Sequence, residues 1–327
     1  ISLDPINFER EGALFGGLDT SITGISSHAG LPSPPPWLSL GLASLSGAVE
    51  NAAGAFDGRD PSKTVSSLAA GLKAVRTQLL GEAKLSTLEP AARERILFLL
   101  ERKERQLQDA IAHALALEAE AFVDTGRGFS GMAGGSAPAP PFNDATPGQT
   151  FPVRVRVLNR SPIEVRPTAV EMRLPAGWQA SGEDLALKPL GHNEALSTVF
   201  TVRVPEDASP TRPHWHRESI EETLYTIDMP RHHTQPLPPP PAWATVKLAV
   251  LGAAIDLTLP VLNTIEDPVY GPRQAPLLVV PPLRRRTNTL MSDIVSAIAR
   301  QPIPDSQCGF RLIRREVAIR GIRKTPD

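Results

Sequence analysis

The sequence has only one cysteine, Cys308, among its 327 residues. No intramolecular disulfide can form, and cysteine usage therefore gives no information about the cellular compartment. No run of about 20 apolar residues occurs, so we expect no transmembrane helix. The net charge is -1 and aromatic residues make up 5% of the chain. This balance gives no overall electrostatic reason to expect a nucleic-acid partner.

The motifs of several enzyme classes are also missing. The sequence has no glycine-rich phosphate loop with a lysine and no Gly-x-Ser-x-Gly motif. Cys308 has no neighbouring histidine, so nucleophilic hydrolysis has no candidate. We therefore expect this chain to contain no catalytic residues, no metal site and no cofactor, and not to be an enzyme by itself.

Proline is abundant, with 34 residues against 24 glycines. Such a composition favours short strands, loops and polyproline segments over long helices. The length suggests two or three domains, since a domain commonly has about 100–200 residues. The chain starts at Ile1 without an initiator methionine, and we expect it to be a piece of a longer protein.

The clearest strand pattern begins after Pro147. Phe151, Val153, Val155 and Val157 alternate with other residues, which is the period of a half-buried strand. Further runs at 168–174 and 196–204 are separated by proline and glycine. Short strands separated by proline and glycine predict an immunoglobulin-like antiparallel β-sandwich over residues 147–212.

Residues 38–125 are instead predicted to form an antiparallel helical bundle. A helix is expected from Asp60 to Leu80, because Asp60 precedes a proline at the first helical position. A second helix begins near Thr87 and carries an apolar stripe as far as Phe122. A weaker helix spans residues 40–56. The mixed charges of the longest helix are interpreted as its solvated face.

The remaining segments complete an α+β multi-domain prediction. Residues 1–37 are an irregular segment expected to pack on a missing domain, and residues 126–146 are a linker. Residues 213–281 contain a proline-rich connector and enough strand pattern for a second, incomplete β-sandwich. Residues 282–327 hold ten basic and four acidic residues, a net charge of +6, and are expected to be a flexible tail.

Three segments of the sandwich carry a specific resemblance. They are Pro147-Gly148-Gln149, Leu174-Pro175-Ala176-Gly177-Trp178 and Val202-Arg203-Val204-Pro205-Glu206-Asp207-Ala208. These segments resemble the immunoglobulin-like module found beside a carbohydrate-binding module in bacterial alpha-galactosidases. The resemblance implies an accessory domain rather than a catalytic one.

A second resemblance covers residues 4–281. The segments that carry it are residues 8–23, His214-Trp215-His216-Arg217-Glu218-Ser219, Leu224-Tyr225-Thr226 and Glu266-Asp267-Pro268-Val269-Tyr270-Gly271. They resemble the region downstream of the catalytic domain in large bacterial PIG-L/LmbE-type deacetylases. That family uses zinc to remove acetyl groups from N-acetylated sugars. The resemblance implies an exported protein, in the periplasm or outside the cell, whose partner is the missing N-terminal catalytic domain.

The family holds its zinc with a His-Pro-Asp-Asp motif and a later histidine. No His-Pro pair occurs in this sequence, so no catalytic residue of the deacetylase can be assigned here. The resemblance therefore places the zinc in the missing domain. It predicts for this chain a structural or carbohydrate-binding accessory role.

Four histidines leave a metal site open as an alternative. His214 and His216 would project to the same side of a strand and supply two zinc ligands, with His232 or His233 as a third. This would make the chain a cryptic metal-dependent hydrolase. The other interpretation is that His214 and His216 pack at a sandwich edge or at a domain contact.

Aromatic residues provide the candidate ligand-binding residues. Trp178, Trp215, Trp243 and Tyr225 could stack on sugars, although a tryptophan in a sandwich more commonly packs in the core or at an edge. The residues selected as candidates for ligand binding are Trp178, Trp215, His214, His216 and Tyr225. Nucleic-acid binding through the basic tail is a last alternative, and it is disfavoured because only Phe310 interleaves the arginines.

Overall fold

The computed structural model describes residues 19–124, 144–182, 187–219, 221–230, 234–235, 238–267 and 271–281. The predictions for residues 1–18, for most of the 126–146 linker and for the 282–327 tail fall outside these residues. The described part contains helices followed by a large set of paired strands. This confirms the α+β class.

Five α-helices precede the strands in the described part of the chain. They are α1 (Ile25–His28), α2 (Pro36–Gly54), α3 (Val65–Ala74), α4 (Glu82–Leu85) and α5 (Pro90–Ala114). The segment expected to form one helix from Asp60 to Leu80 is divided into a 3-10 turn, α3 and a π-helical turn at Val75–Leu79. None of the described helices combines the length and the apolarity needed to cross a bilayer.

The helices are held together by leucine and isoleucine side chains that are removed from solvent. The largest of these are Leu38, Leu42, Leu45, Leu72, Leu79, Ile96, Leu100 and Ile111. Their spacing of three or four residues places them on one face of each helix. Each fully buried side chain of this type stabilises the fold by about 1.5–3 kcal/mol before opposing entropy is counted.

The prediction that the last helix reaches Phe122 is wrong. Helix α5 ends at Ala114, and Ala116 has a positive φ of 46°. The chain then enters strand β1 (Leu117–Val123), which pairs with the following strand. Glu120 of β1 forms an ion pair with Arg156 of that strand, and Glu118 forms one with Arg160, the residue after its end. Strand pairing therefore overrides the helical stripe at this point.

Nine further strands follow β1 in the part of the chain that the structure describes. They are β2 (Thr150–Asn159), β3 (Arg166–Arg173), β4 (Gln179–Gly182), β5 (Glu194–Arg203), β6 (Trp215–His216), β7 (Thr226–Ile227), β8 (Trp243–Val250), β9 (Ala253–Asp267) and β10 (Gly271–Pro276). Strands β6 and β7 form a small separate hairpin. The others have the order β3-β8-β9-β1-β2-β5-β4, with β10 on β9.

Strand β9 joins the two halves of this β-sandwich because it changes partners along its length. Its first residues, up to Pro260, pair antiparallel with β8. The next two, Val261 and Leu262, pair parallel with β1. Pro260 has no N–H to donate, so it suits the position where one ladder ends and another begins. A strand that switches partners in this way forms a corner of the sandwich.

The second sandwich expected over residues 213–281 does not form separately among the described residues. Strand β8 pairs with β3 from Trp243 to Ala249, and β9 pairs with β1. Strands from both sides of the proline-rich connector therefore complete one sandwich. The physical reason is that β1 and β3 would otherwise leave open edges beside a buried apolar face.

The helices and the sandwich share one hydrophobic core. Polar contacts also join them. The Arg76 guanidinium donates to the Ala254 carbonyl at 2.5 Å, and the Gln108 side chain accepts from the Asp256 amide at 2.8 Å. The buried end of β2 is organised by Asn159, which donates to the Ile163 and Leu190 carbonyls.

Candidate functional site

A cleft of about 690 Å³ lies beside the sandwich. Three pieces of chain form its main walls: the turn after β3, the segment between β5 and β6, and a proline run before β8. Asp228 and Met229 after β7 and Val279 after β10 complete the lining. Its lining residues are Pro175, Ala176, Trp178, Pro205, Asp207, Ala208, Ser209, Pro210, Thr211, Arg212, Pro213, His214, Asp228, Met229, Pro238, Pro239, Pro240, Pro241 and Val279. The volume falls in the range of about 300–1,000 Å³ that is usual for small-molecule sites.

Trp178 provides the aromatic surface of the cleft. It follows Gly177, whose positive φ of 82° suits a glycine, and its amide donates to the Pro175 carbonyl at 3.2 Å. The indole is half-buried and packs against the hydrophobic core on one side. The turn therefore holds a partly exposed ring in a fixed position.

The segment after β5 is tied to the sandwich by backbone hydrogen bonds. The Thr211 amide donates to the Val279 carbonyl, and the Val279 amide donates to the Thr211 hydroxyl, both at 2.9 Å. Asp207 and Arg212 lie before and after Thr211 in the chain, and both line the cleft. The charged side chains are thus carried by an anchored segment.

The proline run is the third wall. Its position is set by Trp243 at the start of β8, whose indole Nε1–H donates to the Pro240 carbonyl at 2.8 Å. Consecutive prolines have fixed φ angles and no amide donors. The wall therefore presents ring C–H groups and carbonyl acceptors to the cleft.

The β6–β7 hairpin borders the cleft and contains most of the other predicted residues. Trp215 and Tyr225 pack edge to face, with ring centroids 4.5 Å apart and an interplanar angle of 69°. The Arg217 guanidinium lies 4.8 Å from the Tyr225 ring centroid. The hairpin is joined to the cleft wall through Asp228, whose amide donates to the His214 carbonyl at 2.8 Å.

Two of the five selected residues, Trp178 and His214, line the same cleft. The other three do not line it, and they lie in the hairpin. Trp215 and Tyr225 contact each other, and His216 contacts Asp228 at 2.5 Å. The tryptophans and the tyrosine therefore do not form one continuous stacking face.

The alternative in which His214 and His216 project together from one strand differs from the geometry around β6. Strand β6 contains only Trp215–His216, so His214 lies before it. His214 is buried, whereas the His216 side chain is about half exposed. His232 and His233 fall outside the described residues. Within the residues that are described, no group of three or more His, Cys, Asp or Glu side chains is placed to hold a metal ion.

Sequence reasoning missed the polar residues that share the cleft with Trp178. These are Asp207, Arg212 and Asp228, together with Met229 and the prolines. The available signal was the density of proline on both sides of β6 and β7. Proline density predicts an extended segment, but it does not indicate which side chains of two such segments will meet.

The strands and the cleft together define an immunoglobulin-like β-sandwich with a proline-rich border. Residues 145–213 match the family model described as the NPCBM-associated NEW3 domain of alpha-galactosidase. The matched residues contain β2 to β5 and most of the segment that leads to the cleft. Strands β1, β8 and β9, which complete the sandwich, lie outside the match. No curated protein sequence matches the chain.

Several solved structures are similar to parts of this chain. One is the secreted serine protease VesC from Vibrio cholerae (8% identity, TM-score 0.21, 38% of this chain and 22% of that one). Another is PapD-like domain 7 of human CEP192 (10% identity, TM-score 0.20, 44% and 82%). A third is a family 123 glycoside hydrolase from Clostridium perfringens (11% identity, TM-score 0.19, 46% and 28%). TM-scores this low carry no argument about function.

Proposed function

We propose that this chain is a non-catalytic, carbohydrate-binding accessory region of a carbohydrate-active protein. The observation that carries the proposal is the match of residues 145–213 to a domain associated with alpha-galactosidase. Those residues form four strands of the sandwich and supply two of the three walls of the cleft. The sequence also lacks the nucleophile and phosphate-loop motifs that would favour catalysis.

The finer proposal concerns the partner of this region. The sequence resemblance at residues 214–219 and 224–226 points to a PIG-L/LmbE-type deacetylase that acts on N-acetylated sugars. In that arrangement the zinc belongs to the catalytic domain and this chain contributes only binding. An accessory region of this kind would work in the periplasm or outside the cell.

The test is glycan binding by the whole purified chain. We expect selective binding on a glycan array, followed by a saturable isotherm for the same glycan in titration calorimetry. Binding should be unchanged after treatment with EDTA, because no metal is part of the proposed site. If no glycan is bound above background, the carbohydrate-binding proposal is wrong. If binding is lost with EDTA, the metal-dependent alternative is favoured.

A further inference from the structure

We infer that the cleft beside Trp178 is the sugar site, and that its ligand is a neutral pyranoside whose C–H face packs on the Trp178 indole. The inference rests on the proposed function and deepens it, because it assigns a location and a chemical class to the ligand. It concerns only the part of the cleft formed by described residues. The cleft combines one aromatic platform, several proline rings and two carboxylates.

The shape of the lining suits a sugar. A pyranose has an apolar C–H face and a rim of hydroxyl groups, so it needs an aromatic surface on one side and hydrogen-bond partners around it. Trp178 offers a half-buried ring, and the prolines offer C–H surfaces without amide donors. The Asp207 carboxylate can accept hydrogen bonds from sugar hydroxyls, and such charge-assisted bonds are strong. The Asp228 carboxylate already contacts His216 through one of its oxygens.

The balance of charge favours a neutral ligand. Two carboxylates, Asp207 and Asp228, and one guanidinium, Arg212, line the cleft. One positive and two negative groups give this lining a formal charge of -1, so an anionic sugar would add a second net negative charge. Like charges at close range are repulsive, and the effect is stronger where water is partly excluded. We therefore expect neutral glycosides to bind better than uronic acids of the same ring type.

The cleft walls are held in place before any ligand binds. Backbone hydrogen bonds fix the Trp178 turn and join Thr211 to Val279, and the Trp243 indole fixes Pro240. Proline rings lose little conformational entropy on binding because their φ angles are already restricted. A preorganised site loses less free energy to ordering than a flexible one. This geometry is consistent with binding of a small saccharide without rearrangement of the sandwich.

The experiment uses the whole chain with methyl α-galactoside, methyl β-N-acetylglucosaminide, free glucuronic acid and an oligoproline peptide as probes. Binding is followed by titration calorimetry and by tryptophan fluorescence. Trp178→Ala removes the platform and should weaken binding of the best neutral glycoside about tenfold. Trp178→Phe keeps an aromatic ring and should restore most of the affinity.

Two further variants keep the result interpretable if Trp178→Ala folds poorly. Asp207→Asn preserves the side-chain shape at an exposed position and should raise the Kd by roughly three- to tenfold. Phe98→Ala removes an exposed aromatic ring from α5, away from the cleft, and should leave the Kd unchanged. Thermal melting of each variant separates loss of folding from loss of binding.

The possible outcomes test the location of the site separately from the carbohydrate-binding function. If the wild-type chain binds a neutral glycoside but Trp178→Phe, Trp178→Ala and Asp207→Asn all bind it equally well, the site is elsewhere and the accessory function stands. If the wild-type chain binds no sugar, both proposals fail. Preference for glucuronic acid overturns the neutral-ligand assignment. Binding of the oligoproline peptide alone would replace the sugar with a peptide ligand.

Discussion

The sandwich strands and the proline-rich segment from 205 to 242 are built on different principles. In the strands, buried valines and isoleucines pack across a shared core, as Val155 and Ile255 do. In the described residues of the segment, backbone hydrogen bonds, prolines and a few aromatic contacts set the conformation. Leu224 in this segment is 81% exposed. The strands therefore supply most of the buried core, and the proline-rich segment supplies much of the cleft lining.

The residues that match the family model form only part of the sandwich. Residues 145–213 contain four strands, but their open edges are covered by β1 and β8, which come from outside the match. The proline-rich segment lies between β5 and β8 in the chain. Its own hairpin β6–β7 pairs with neither half of the sandwich.

The largest difference between the two regions is expected for removal of an aliphatic side chain. Ile255→Ala in β9 creates a cavity in the shared core and should lower the free energy of unfolding by about 2–5 kcal/mol. The matched control is Leu224→Ala in the hairpin, which should stay within about 0.5 kcal/mol of the wild type. Urea denaturation followed by circular dichroism measures both values. Equal losses would contradict the division between the regions.

Asn159→Ala should have the next largest effect. The Asn159 amide donates to the carbonyls of Ile163, Leu190 and Gly191, and its oxygen accepts from the Ser161 amide and hydroxyl. The change leaves buried groups without partners, and we expect a loss of about 2–3 kcal/mol. Asn51→Ala, at an exposed position of α2, is the control and should be near neutral. A stable Asn159→Ala variant would show that water replaces the amide there.

Trp243→Phe addresses the boundary between the two regions. The substitution keeps an aromatic ring at the start of β8 but removes the hydrogen bond to the Pro240 carbonyl. We expect a loss of stability of about 0.5–1.5 kcal/mol, with a larger relative loss of sugar affinity because the proline wall is no longer fixed. Chemical denaturation and calorimetry on the same sample separate the two effects. Full sugar affinity in this variant would argue against a preorganised wall.

The smallest effect is expected in the helical region, at an exposed ion pair. The hydrogen bond from Lys63, at 2.7 Å, lowers the pKa of Asp57 below its usual value of 3.8. A carboxyl with a lowered pKa adds stability above its unfolded pKa, and that stability is lost as the pH falls through its folded pKa. Asp57→Asn should therefore cost little at neutral pH, and that cost should shrink as the pH falls below 3.8. Thermal melts at pH 7 and pH 3 in low salt test this difference.

Much of the core could be predicted from residue spacing. The alternation of Phe151, Val153, Val155 and Val157 indicated β2 correctly, and all four side chains are buried. Helix α5 likewise begins at Pro90, within the expected first turn. These patterns are local, and burial of one face is sufficient to explain them.

Features that depend on distant pairing could not be predicted in the same way. The apolar stripe that includes Phe122 fits both a helix and a strand, and only pairing with β2 decides between them. The pairing of β8 with β3 crosses the whole proline-rich segment, so spacing alone indicated a separate sandwich. For the same reason, Trp178 was identified as a candidate but its cleft partners Asp207 and Asp228 were not.

Hydrogen–deuterium exchange of the whole chain, with and without the glycan selected on the array, tests the central claim most directly. We predict slower exchange on binding at residues 175–178, 205–214 and 228–230, with little change in strands β1, β2, β8 and β9. The strands should already be strongly protected in the free protein because they form the core. Protection gained only in the helices or at the tip of the β6–β7 hairpin would contradict the assignment of the cleft as the binding surface.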